Sequence, residues 1–350
     1  RVKIYVNGSQ VTAFGTANYP AQNTTASIGR TDTPMVVGAL YGSGFGITSG
    51  SPQEYYDGYL AEVCFIDDAQ LAADSFGEFD SDSGIWKPIN VSGLTFGTDG
   101  FYLDFEDSGN LGNDANGGTD LTEVNLAATD QSTDTCTNNF ATLNPLEIPK
   151  DTAKNTFSNG NLEITNSADA NIASFSTIGV SSGKWYYECK FLSGEMKQFA
   201  GISKPQEETI RPGDTAGSYG FAGENARKWN NNSYGSYGST ASTGDIIMVA
   251  FDADNGTIWV GKNGTWFESA TQSEIENGTT TNSMYSSITI DDFFMMAVSV
   301  EDSNIQMNFG SPMYSISSGN TDGEGFGNFE YAVPSGYLAL CTKNLGSSGG

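Results

Sequence analysis

The sequence predicts an all-β chain, and three observations carry that prediction. Short segments alternate apolar and polar residues at the two-residue period of a strand, as Val2, Ile4 and Val6 do against Lys3 and Tyr5. Pairs such as Asn7-Gly8 and Asn263-Gly264 separate these segments, and both residue types tolerate the positive φ of a tight hairpin turn. Glycine accounts for 43 of 350 residues, and a single stretch, 68–76, reads as a short helix. The expected architecture is two antiparallel β-sandwich domains, 1–126 and 155–345. An Asp/Gly/Thr-rich connector over 127–154 joins them, and 346–350 is a flexible exit.

Bulk composition narrows the function classes. With 42 acidic against 15 basic residues the formal net charge is −27, which repels phosphates and argues against a nucleic-acid partner. No apolar run approaches the roughly 18 residues of a spanning helix, so no membrane insertion is expected. The chain has no histidine, which removes Ser-His-Asp and Cys-His catalysis and the usual zinc sites. Cys64, Cys136, Cys189 and Cys341 lack metal-ligand spacing, and Cys64 and Cys189 read as small buried residues. A Cys189–Cys341 disulfide is open on count but is not the expectation. Arg1 already falls within a strand pattern, so the chain reads as a piece of a longer polypeptide.

Along the first domain, Val2–Val6 turns at Asn7-Gly8 into Gln10–Phe14. Ser27–Arg30 is a short strand, 41–50 a glycine-rich loop, and Tyr56–Asp67 a further strand region. The helix expected at 68–76 would be capped by Asp67 or Asp68, and Phe101–Phe105 is a strand that extends the first domain past residue 105. Between them and Asp120 lies the most suggestive chemistry: Asp104, Glu106, Asp107, Asn110, Asn113, Asp114 and Asp120 cluster hard oxygen ligands of the kind calcium prefers. The spacing is not that of an EF-hand, and the simpler reading is a solvated turn, where Asx and Gly residues dominate in any case. Leu121–Leu126 reads as a strand.

The second domain is organised around Gly244–Phe267. Ile246, Met248 and Ala250 alternate with Ile247, Val249 and Phe251, so this strand is expected to be covered on both faces. Asp254-Asn255-Gly256 reverses the chain, Thr257–Lys262 returns, and Asn263-Gly264 turns into Thr265-Trp266-Phe267. Asn161–Thr165, Trp185–Phe191 and Ala200–Ser203 are strands, and Phe293–Val300 is the most apolar run and a central strand. Candidate ligand-binding aromatics and amides are Tyr219, Trp229, Asn230, Tyr234, Tyr237 and Trp266. Aromatic rings stack on sugars and amides bond hydroxyls, while Tyr and Trp also serve protein recognition. Tyr219 and Trp229 are expected to be strand residues of the core, whereas Tyr234 and Tyr237, in a Gly/Ser loop, are expected to be exposed. Catalysis is not expected. Asp252 and Asp254 share a face at a hairpin corner, but a glycosidase needs a cleft with paired carboxylates.

Several spaced motifs resemble known families. Gly183–Glu188, Ala200–Ser203, Ser218–Phe221, the Gly244–Phe267 hairpin and Asn304–Gly310 occur in the order found in SPRY domains, over most of 155–345. That resemblance implies a two-sheet antiparallel sandwich that binds partners through its loops and catalyses nothing. VKIYVNG and DGYLAEVCFID resemble the C-terminal half of a laminin-G-like, concanavalin A-like jelly roll, which implies that N-terminal strands are missing from 1–126. The acidic 104–120 stretch also resembles a turn of laminin-G-type domains, some of which hold calcium. Residues 68–88, Asn138–Leu146 and the ending YLALCTKNL resemble bacteriophage tail-fibre proteins. Together these resemblances imply an extracellular, virion-borne appendage, trimeric by that likeness, contacting other virion proteins and a host-surface glycan or protein. The alternatives are a scaffold or decoration protein touching only virion proteins, and a secreted lectin-like or glycan-active enzyme.

Overall fold

The computed structural model describes residues 3–19, 21–22, 35–40, 52, 54–56, 58, 60–79, 86–131, 134, 138–146, 155–167, 171–194, 197–205 and 210–348. The chain is mostly β and divides into two compact units, Arg1–Gln131 and Ser132–Gly350.

In the first unit the described strands form antiparallel pairs. β1 (Tyr5–Val6) and β2 (Ser9–Gln10) close across Asn7-Gly8, whose φ values of 47° and 72° are those of a mirror-image hairpin turn. Then come β3 (Val63–Phe65), β4 (Gly77–Phe79), β5 (Trp86–Pro88) and β6 (Phe101–Leu103). β3 pairs with β6, Val63 opposite Leu103, and β4 pairs with β5. Stacked rings, Phe65 on Phe101 at 5.7 Å and Phe96 on Tyr102 at 5.8 Å, help cover the β3–β6 ladder. Among the described residues no sheet of this unit exceeds two strands. Left-handed backbone at Glu62 (φ 54°) and Phe105 (φ 59°) bounds β3 and β6 and keeps them short. The helix expected over 68–76 is only a 3₁₀ turn at Ala73–Ser75. Asp68 sits at φ 62°, and Ala72 offers no capping side chain. Leu121–Leu126 is not a strand, since Asn125 at φ 59° breaks it. The predicted elements at Ser27–Arg30 and 41–50 lie outside the described residues.

The second unit begins with β7 (Thr156–Ser158), β8 (Glu163–Asn166), β9 (Ile172–Val180), β10 (Lys184–Gly194) and β11 (Gln198–Ser203). β12 (Ser218–Ala222), β13 (Arg227–Asn230) and β14 (Ser233–Ser236) follow. Next are β15 (Ile246–Asp252), β16 (Thr257–Lys262), β17 (Thr265–Trp266) and the short helix α1 (Gln272–Glu276). β18 (Phe294–Val300), β19 (Ser303–Asn308), β20 (Leu338–Ala339) and α2 (Thr342–Ser348) complete it. One sheet has the order β17-β16-β15-β10-β19-β8-β7, with β20 parallel to β10. The other has the order β14-β13-β12-β11-β18-β9.

Side chains from both sheets share one core. Trp185, Tyr187, Phe191, Ile247, Val249 and Phe251 meet Ala200, Ile202, Phe221, Phe294, Met296 and Val298, all essentially buried. Each such large side chain contributes roughly 1.5–3 kcal/mol on leaving water. A second core lies on the other face of the eight-stranded sheet. There Tyr186, Met248, Ala250 and Trp259 are covered by Phe329, Tyr337 and Ile275. This explains why β15 is apolar on both faces: Ile247, Val249 and Phe251 enter the first core, Met248 and Ala250 the second. Cys189 belongs to the first core and Cys341 to the second, and both are free thiols. Residues 138–146, assigned to the connector from sequence, pack in this unit: Phe140 bridges to Cys341 and Leu143 to Ser176.

A buried carboxylate ties the covering segment to the sheet. Glu188, wholly buried on β10, accepts hydrogen bonds from the Tyr331 amide (2.8 Å), the Glu330 amide (3.0 Å) and the Tyr186 hydroxyl (2.8 Å). Burial raises its pKa above the ordinary 4.5, although these donors pull the other way. Asp322 does the same further along, accepting from Glu324, Phe326 and Ala339 amides and from Asn344 Nδ2.

Candidate functional site

The outward face of the six-stranded sheet carries the arrangement that best fits a binding site. Cross-strand register fixes which residues share that face. Gly201 lies opposite Gly220, Gly220 opposite Trp229, and Trp229 opposite Tyr234, while the neighbouring row Ala200–Phe221–Lys228 turns the other way. Asn231 and Asn232, at φ 50° and 53°, form the tight turn that brings Tyr234 back beside Trp229.

Two arginines interleave with the rings to form a ladder. The Arg227 guanidinium lies 4.1 Å from the Tyr234 ring centre, and Tyr234 packs on Trp229 at 4.8 Å. Arg211 covers Trp229 at 4.5 Å and Phe199 at 5.5 Å, and Phe199 meets Trp229 edge-on at 6.2 Å. Each cation–ring contact contributes about 0.5–1 kcal/mol when exposed and more when dry. Phe199 is buried, Trp229 half-buried, and Tyr234 is 56% exposed at the outer end. Arg211 is held in place by Asp214 at 2.9 Å. By contrast, the Arg227 guanidinium has no hydrogen bond or ion pair among the described residues.

Small residues let the 211–217 loop sit on the sheet. A Cβ at Gly220 would meet the Pro212 carbonyl oxygen at 2.2 Å, and one at Gly213 would meet Trp229 Cβ at 2.4 Å. Ser218 Oγ accepts from the Gly213 amide at 2.9 Å, and the Asn231 and Asn232 amides donate to Thr215 and Gly213 carbonyls, both at 3.0 Å. Asn230 Nδ2 donates to the Ser218 carbonyl at 2.9 Å.

Of the residues named from sequence, Trp229 and Tyr234 come together here. Asn230 sits beside them but serves the loop backbone. Tyr219 points inward and packs on Tyr285 at 5.2 Å. Tyr237 was expected to be exposed; it is 2% exposed instead, its ring edge-on to Phe267 at 5.8 Å and its hydroxyl on the Asn282 carbonyl. Trp266 is likewise buried, against Tyr186 in the second core. Phe199, Arg211 and Arg227 were not singled out from sequence. A signal existed: Arg1, Arg30, Arg211 and Arg227 are all the arginines of the chain, and Arg227 stands two residues before Trp229 and seven before Tyr234.

The acidic 104–120 stretch binds its own backbone. Buried Asp114 accepts from Tyr102 (2.9 Å), Asn116 (3.0 Å) and Gly118 (3.0 Å) amides. Asp104 accepts from the Glu106 amide and Asp107 from the Gly109 amide. Asp120 accepts from the Asp114 amide and Asn110 Nδ2, which hold its carboxyl below the ordinary range. Asn113 donates its backbone amide to Asn110. Among the described residues no three His, Cys, Asp or Glu side chains converge as a metal site; the carboxylates of Asp104, Asp107, Asp114 and Asp120 accept hydrogen bonds from within the stretch, the first three in the pattern of Asx turns.

A polar cleft lies between the start of β10, the β15–β16 turn, the end of α1 and Ser335-Gly336. Its acids already have structural partners. Asp254 Oδ1 accepts from the Gly183 amide (2.8 Å) and Glu276 Oε1 from the Ser335 amide (2.9 Å). Lys184 donates to the Glu276 carbonyl (2.9 Å) and lies 3.6 Å from buried Asp252.

Comparison with known families places a SPRY domain at residues 184–312. The match starts with β10, runs past β19 and includes the whole ladder. SPRY domains are β-sandwiches that mediate protein–protein interaction, which agrees with the two-sheet sandwich of the second unit. No helix among the described residues is long and apolar enough to cross a membrane.

Proposed function

We propose that the chain is a non-catalytic binding module of a virion surface appendage of tail-fibre type, docking to a host-surface glycan or protein. The observation that carries this reading is the Arg211–Trp229–Tyr234–Arg227 ladder, a partly exposed aromatic surface inside a domain of an interaction family. Tyr and Trp give large contact area at small entropic cost, and the 211–217 loop locks them before any partner arrives. The non-catalytic part of the proposal is supported by the absence of histidine and by the structural use of Glu188, Asp252, Asp254 and Glu276. The appendage, its extracellular setting, its trimeric state and its contacts with other virion proteins rest on the tail-fibre and laminin-G resemblances of the sequence.

The test is gold-labelled antibody against residues 151–350, imaged on particles from the source lysate. Label at the distal ends of tail appendages is expected. Label confined to a capsid or collar would point to a scaffold or decoration protein, and absence from particles would end the virion reading.

A further inference from the structure

Resting on that reading, we infer that the exposed end of the ladder takes a saccharide bearing a single carboxylate, of the uronic or sialic type, with Arg227 meeting the carboxylate and Tyr234 the ring. Three features of the surface lead there. First, the chain carries a net charge of −27, yet this patch presents a guanidinium with no acidic partner among the described residues. Arginine forms bidentate hydrogen bonds to carboxylates, so an anionic group is the complementary ligand.

Second, among the described residues the patch offers a single unpaired cation. Arg211 is already paired with Asp214, and Lys228 is turned inward, donating to the Met284 carbonyl at 2.8 Å. A site with one available cation among the described residues, in an acidic chain, suits one negative charge and disfavours a run of them, as in an acidic peptide. Third, the groups around Arg227 are those that neutral hydroxyls require. Tyr234 is 56% exposed, and exposed Ser236 lies opposite Arg227 on β14 and on the same face as Tyr234. The exposed edge and hydroxyl of Tyr234, with the Ser236 hydroxyl on the same face, offer apolar contact and hydrogen bonds to a sugar.

The experiment uses the full chain on an array of matched saccharides, each acidic member beside its neutral counterpart, with sialyllactose against lactose as one pair and hexaglutamate as a peptide competitor. Wild type is expected to bind at least one acidic member about ten-fold or more tightly than its neutral partner, a difference typical of a charge-assisted hydrogen bond. Arg227→Gln should abolish that preference and Tyr234→Ala should remove binding of both, with melting temperatures unchanged; Arg227→Lys should retain part of the preference. Equal binding of both members, no binding of any acidic saccharide, survival of the preference in Arg227→Gln, or displacement by hexaglutamate would each overturn the inference. Binding of the labelled chain to bacterial cells is measured alongside. Cell binding without acidic preference refutes the saccharide class alone, and acidic preference without cell binding refutes the appendage reading.

Discussion

Glu188 offers the sharpest test of how the second unit is held together. Its carboxylate takes two backbone amides, of Glu330 and Tyr331, and the Tyr186 hydroxyl, all within 3.0 Å. Asn308 Nδ2 and the Tyr314 hydroxyl lie slightly farther, each at 3.4 Å. Glu188→Ala leaves these buried donors without an acceptor, at about 1–3 kcal/mol for each one that water cannot reach. Loss of the carboxylate's own burial cost offsets part of this, so a net loss of about 3–5 kcal/mol is expected. For a unit of this size that is a fall of about 6–20 °C in melting temperature. Glu188→Gln keeps one acceptor oxygen but points an NH₂ at donors, and should cost about half as much. The sign of the pH dependence follows from burial, which raises the folded pKa above 4.5. The stability linked to this proton is full below about pH 4.5 and is lost as pH rises through the folded value, a slope that Glu188→Gln removes. Urea unfolding at pH 4, 5.5 and 7 measures both effects. Glu188→Ala within about 0.5 kcal/mol of wild type, or identical pH slopes for wild type and Glu188→Gln, would refute the reasoning.

Other consequences are equally direct. Asp114→Ala should destabilise the first unit by about 2–4 kcal/mol, because the Tyr102, Asn116 and Gly118 amides lose their acceptor, whereas chelation should leave its melting temperature unchanged. Calorimetry with and without chelator checks both. Tyr237→Phe should cost no more than about 1 kcal/mol, since the hydroxyl's hydrogen bond to the Asn282 carbonyl is 3.3 Å long, while Tyr237→Ala should cost about 3–5 kcal/mol by opening a cavity beside Phe267. Denaturant midpoints separate the two. Gly220→Ala should lift the 211–217 loop, because its Cβ would meet the Pro212 carbonyl at 2.2 Å; faster amide exchange at Gly213 and Asn232 would report it.

The sheets of the second unit were legible in the sequence because their signals are local. Asn263-Gly264 demands a hairpin, and β15 announces two buried faces by lacking polar residues on either. Tyr237 and Trp266 were misjudged because exposure is a tertiary property. Nothing in the local Gly/Ser setting of Tyr237 says that Phe267 folds over it. The acidic 104–120 stretch left two readings open for a related reason, since Asp and Asn serve ligands and their own backbone with identical atoms. The ladder was half legible. Trp229 and Tyr234 lie in one stretch, but Arg211 and Phe199 reach them from separate elements, brought in by the Gly220 gap and by sheet register.

The most direct test of the central claim, that the ladder is the contact surface, is flow cytometry of labelled full chain on host cells, with wild type beside Tyr234→Ala and Trp229→Ala. Both substitutions should lower apparent affinity about ten-fold or more while the sandwich still unfolds cooperatively, as expected for aromatic anchors of an interface. Wild-type binding by a folded Tyr234→Ala chain would contradict the account.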